Sequence, residues 1–94
     1  MEQITIKSTR ASVEEFKESI LWLDITNELS MWRNGFEIEM QSIVDDAAES
    51  NPSTASVLLH LGDLNGRIKA VTYVLAILDV FLDLLEKRED DNRS

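Results

Sequence analysis

The 94 residues include no cysteine, one proline, one histidine and three glycines. Without thiols there is no disulfide, no thiolate nucleophile and none of the common structural zinc sites, which fits a reducing, cytoplasmic setting. With so few helix breakers, long regular elements are expected, and Pro52 stands out as the natural stop. Long apolar runs are missing too: the stretch Tyr73 to Leu78 is cut by Asp79 and then Asp83, too short for a membrane span. The opening Met1 to Ala11 lacks the basic-then-apolar layout of a secretion signal. Positive charge is scarce, nine Lys and Arg against eighteen Asp and Glu, for a net charge of -9. A field of that sign repels phosphate backbones, so direct nucleic-acid binding is not expected, and with the apolar stretch too short to span, no membrane partner is expected either.

What is present points to a single all-α domain. A chain of this length buries only about 60 to 65% of the surface its unfolded form exposes, so association with a second chain would relieve marginal stability. Residues 1-11 read as an extended arm on the alternation of Gln3-Ile4-Thr5-Ile6-Lys7, either frayed or free to pair with a strand of another molecule. Ser12 and Glu15 form an S-x-x-E capping box that opens helix one, expected over 12-50. Trp22, Ile25, Leu29, Trp32, Phe36, Met40 and Ile43 recur at steps of three and four and share one face. Asn34-Gly35 is a turn-prone pair, yet the apolar phase passes straight across it, which predicts a continuous or gently kinked helix. Pro52 suits a first helical position with Asn51 as cap, so helix two is expected over 52-88, antiparallel to helix one, with a charged, frayed tail at 89-94. Together, 12-88 reads as an antiparallel two-helix hairpin that assembles into a helical bundle oligomer.

Helix two has two apolar faces. Leu61, Leu64, Ile68, Val71, Leu75, Leu78, Leu82 and Leu85 follow a strict heptad, the pattern of knobs-into-holes packing. A second set, Gly62, Gly66, Ala70, Val74, Ile77, Phe81 and Leu84, lies to another side. Symmetric pairing about the turn sets Met40 opposite Gly62, Phe36 opposite Gly66 and Trp32 opposite Ala70, bulk against absence of bulk. The small residues are therefore expected to receive helix one, with Trp22, Ile25 and Leu29 completing the hairpin core. The leucine heptad is left as the interface with another chain.

Candidate chemistry is thin. His60 has no cysteine or second histidine beside it and reads as a local packing or capping residue. Glu15 and Glu18 have the E-x-x-E spacing of magnesium-binding helical hydrolases, and the hairpin would bring them towards Asp83, Glu86 and Glu89, but no phosphate-gripping basic set accompanies them. The acids read instead as a solvated end. Asp45, Asp46 and Glu49 oppose the dipole of helix one and are offset by the start of helix two. No phosphate loop or nucleophile elbow occurs. Catalytic, cofactor and metal residues are accordingly expected to be absent.

The run Gly66-Arg67-Ile68-Lys69-Ala70-Val71-Thr72-Tyr73-Val74-Leu75, with Ile77-Leu78-Asp79 after it, resembles the closing helix of small helical proteins encoded by tailed bacteriophages. That resemblance spans about residues 20-86 and implies a virion-associated or accessory role in an infected bacterial host; it transfers no functional residue. The leading expectation is a non-enzymatic homo-oligomer that also meets a protein partner in a larger assembly. The alternative is an acidic mimic of DNA that inhibits a host nucleic-acid-binding protein.

Overall fold

The computed structural model describes residues 5-50 and 54-93. Four helices follow one another, α1 (Arg10–Lys17), α2 (Ile20–Ser50), α3 (Thr54–Leu75) and α4 (Ile77–Arg93), and no strand occurs among the described residues. Asn51 and Pro52, the expected cap and first helical position, lie outside them.

Helix one starts earlier than its Ser12-Glu15 pattern predicts. Thr9, extended at φ -78° and ψ 158°, accepts the backbone N–H of Ser12 at 3.1 Å. Its hydroxyl does what the serine was expected to do, and Ser12 falls inside the first turn. The arm is also shorter than 1-11, since Arg10 is already helical. Ile6 does not project: it is buried with Val13, Leu78 and Leu85, and Arg88 donates to its carbonyl at 3.3 Å.

Nor is helix one continuous, because Ser19 closes α1 and opens α2. Its amide donates to the Phe16 carbonyl at 2.9 Å, its hydroxyl to the same oxygen at 2.6 Å, and that hydroxyl accepts the Trp22 N–H at 3.1 Å. The packing reason is geometric. Val13 and Trp22 are nine residues apart, which at 3.6 residues per turn would set them on opposite sides of an unbroken helix. The break lets both face inward, and Trp22 meets the Phe16 ring edge-on with centroids 5.7 Å apart. Beyond the joint, α2 passes through Asn34 and Gly35 without interruption.

Helix two bends where α3 gives way to α4. The Ala76 amide is shared between the Thr72 and Tyr73 carbonyls at 3.2 and 3.1 Å, and the Thr72 hydroxyl donates back to Ile68 at 2.8 Å. Such back-bonding bends helices. The tail expected to fray from residue 89 instead continues α4 to Arg93, with Glu89 held by Arg10 at 3.1 Å.

The two arms run in opposite directions. Glu39 meets His60, Phe36 meets Arg67, Lys17 meets Asp79 and Arg10 meets Glu89, so numbers rise on one arm as they fall on the other. α2 packs on α3, and α1 on α4.

The faces of helix two have exchanged the tasks expected of them. Leu64, only 1% exposed, is buried with Val71, Leu78 and Leu85, and Leu61, Ile68, Leu75 and Leu82 are half-buried on the same seam. The leucine heptad is thus covered within the chain rather than reserved for another. Conversely, a Cβ added at Gly62 or Gly66 would meet nothing within 4 Å, and Ala70 is exposed, so the small residues do not receive Met40, Phe36 and Trp32. Trp22, Ile25, Leu29, Phe36 and Met40 are half-buried, but Trp32 is 52% exposed and its indole N–H donates to Glu28 on its own helix at 3.0 Å. The lengthwise pairing is close to the symmetric one, since Phe36 lies under the Arg67 guanidinium at 5.8 Å from the ring centroid. Helix two is simply rotated. Burying each aliphatic is worth about 1.5 to 3 kcal/mol and a glycine contributes almost nothing, so the tethered neighbour takes the leucine face.

The resulting body measures 61 × 33 × 16 Å with a radius of gyration of 19.0 Å. A compact chain of this length would have a radius near 12 Å, so the helices form one thin layer and not a closed bundle.

Candidate interaction surface

A single layer covers α3 on one side only. α3 is apolar over most of its circumference, the pattern of a helix with neighbours on more than one side. Its seam of Leu61, Leu64, Ile68, Val71 and Leu75 is taken by α2. The side turned away carries Leu59, Gly62, Gly66, Ala70 and Tyr73, spaced by three or four residues and all exposed, with Leu58 and Val74 beside them. Leu59 is 77% exposed and Tyr73 54%. The apolar run continues onto α4 through Leu84, while the outer side of α2 adds Met31 and Ile38, seven residues apart.

The molecule's accessible surface is 7386 Å². A folded monomer of this mass has about 5,500 Å², so roughly a third more is left in water. That excess, about 1,900 Å², is larger than the ~800 Å² each partner gives to a standard-size interface.

Charge is distributed unevenly over the same elements. α2 holds seven acids against the one base Arg33, and α4 six acids against three bases, whereas α3 holds Asp63 against Arg67 and Lys69. The outer apolar face therefore lies on the one helix with a net positive charge, +1 with His60 neutral. Asp63 and Arg67 pair at 3.0 Å.

The carboxylates weighed as metal ligands are dispersed. Arg10 binds Glu14 and Glu89, each at 3.1 Å, and Lys17 binds Asp79. These bonds hold both cations above their ordinary pKa, Arg10 through Glu14 first and then Glu89, Lys17 through Asp79. Glu18 lines a shallow open depression of about 410 Å³ with Glu14, Lys17 and Leu82. No group of three or more His, Asp or Glu among the described residues could hold a metal ion. His60 faces Glu39 at 3.4 Å with both side chains half in solvent. No described helix is long and apolar enough to cross a membrane.

Leu58, Leu59 and Tyr73 were in neither apolar set read from the sequence. The signal was available: Leu59, Gly66 and Tyr73 are separated by seven residues each, a second heptad line on the side opposite the leucines. Comparison of the chain with protein-family models, curated proteins and solved structures found no match.

Proposed function

We propose that this chain is a non-enzymatic assembly protein, a helical hairpin that oligomerises through the outer face of α3 and leaves its acidic surfaces to a larger complex. One observation carries the reading: Leu58, Leu59, Tyr73 and Val74 are exposed on apolar sides of α3 that nothing among the described residues covers. The expected interface thereby moves from the leucine heptad to the opposite side of the same helix. The resemblance to phage-encoded helical proteins would set the assembly in an infected bacterial cytoplasm or a virion. Sedimentation velocity tests the reading. A concentration-dependent multiple of 10.7 kDa is expected, and a single 10.7 kDa species at every concentration would sink it.

The charge segregation favours a second reading. α2 carries a net charge of -6, the kind of row with which an acidic protein could occupy the basic groove of a nucleic-acid-binding protein. Such a complex dissociates as salt rises; recovery of a salt-resistant complex with a basic partner would count against it.

A further inference from the structure

Independently of what covers α3, we propose that this chain exchanges α1 with a second copy: residues 10-50 straighten into one unbroken helix, and α1 of each copy docks on α4 of the other. The joint at Ser19 divides an apolar line. Val13, Phe16, Ile20 and Leu23 are spaced by three, four and three residues, so in an unbroken helix, at about 100° per residue, they share an arc of about 80°. In the bent chain Val13 is buried against α4, while Ile20 and Leu23, just past the joint, are 79% and 56% exposed.

Nothing in the sequence requires the break, since neither glycine nor proline lies between Arg10 and Asn34. As the first residues of α2, Ile20 and Leu21 have amides without an acceptor in that helix. Straightening gives them the Phe16 and Lys17 carbonyls and reunites the apolar line. A short joint between two helices that could be one is the usual hinge for such an exchange.

Straightening also decides where α1 must go. In an unbroken helix Trp22 and Leu29 lie on the side opposite Val13. With α2 seated on α3, Val13 and Phe16 then point away from the chain's own α4 and leave Leu78 and Leu85 uncovered. The segment that fits that seam is the one that has just left it, supplied by a neighbour. Val13 and Phe16 pack as before, and Arg10 meets Glu89 and Lys17 meets Asp79 again, now between copies. α1 holds two bases and two acids, whereas α2 carries -6 and α4 -3, so it reaches the acidic α4 of another chain without adding like charge. Two-fold symmetry brings both joints to the crossing between copies, where Ile20 and Leu23 of one chain meet those of the other.

The absence of cysteine supplies the test, because any introduced thiol is the sole one in its chain. Arg10→Cys chains refolded together with Glu89→Cys chains should be bridged by a short bismaleimide at least about tenfold faster than Ser42→Cys chains with Glu89→Cys chains, since exchange holds the first pair at high effective concentration. Ile20→Pro selects between the two forms: proline suits the first position of α2 but not the interior of an unbroken helix. Added to both partners, it should keep the helical circular dichroism and return bridging to the control rate. Bridging no faster than the control, or undiminished by Ile20→Pro, would overturn the exchange. Ile20→Pro leaves the outer face of α3 intact, so its sedimentation tests the assembly reading separately.

Discussion

Leu59 and Leu64 are the same residue type five positions apart on α3, and one is 77% exposed while the other is 1% exposed. Leu64→Ala should lower unfolding free energy by about 2 to 5 kcal/mol, the cost of lost transfer plus a cavity. Leu59→Ala should leave urea denaturation of dilute protein nearly unchanged and weaken self-association instead. A matching pair exists among the glycines. Gly35 lies mid-helix in α2 with open space where a Cβ would sit, so Gly35→Ala should raise stability by about 0.5 to 1 kcal/mol, read as a higher urea midpoint, because alanine loses less backbone entropy. What distinguishes such residues was only partly legible in the sequence. The spacing showed that Leu61 to Leu85 share a face and that Gly62, Gly66 and Ala70 share another; it did not show which face turns inward. Both are periodic, and the choice rests on comparing burial energies across the tether, where leucines outweigh glycines. Trp32 was misplaced with them, since its expected partner Ala70 points away.

At the scale of elements, the all-helical character was plain from the apolar phase and the shortage of breakers. The joint at Ser19 was not, because a lone serine between helical patterns looks like an ordinary surface residue. Its trace was the series Val13, Phe16, Ser19, Trp22, in which repeated steps of three walk around the helix and cannot stay on one face. Ser19→Ala removes the oxygen that caps Trp22 and should cost about 0.5 to 2 kcal/mol, typical of a lost N-cap, visible as a lower thermal midpoint by circular dichroism. The ion pairs joining α1 to α4 are of another kind. Lys17 is held above its ordinary pKa by Asp79, so its contribution is complete at neutral pH, where the amine is charged in both folded and unfolded chains. It is lost only as pH climbs through the raised value in the alkaline range. Titration from neutral to strongly alkaline pH should therefore show a smaller stability loss in Lys17→Met than in the native chain, and equal losses would mean the pair contributes nothing.

For the whole molecule, thinness and charge act against each other. A single layer 16 Å deep leaves apolar surface that association would cover, while a net charge of -9 on each copy opposes approach. If the contact is the apolar face of α3, its favourable part is insensitive to salt, and the long-range repulsion of the acidic α2 and α4 surfaces is not. Raising ionic strength from about 0.05 to 0.5 M shortens the screening length from roughly 14 to 4 Å, below the separation of surfaces on the far sides of a dimer. Self-association should therefore tighten several-fold across that range, measured as a falling dimer dissociation constant by sedimentation equilibrium. An assembly joined by the acids of one copy and the bases of another would do the reverse and come apart. The sign of the salt dependence thus separates docking through α3 from docking through charged surfaces without knowledge of a partner, and a dimer dissociated by salt would reject the α3 face as the principal contact.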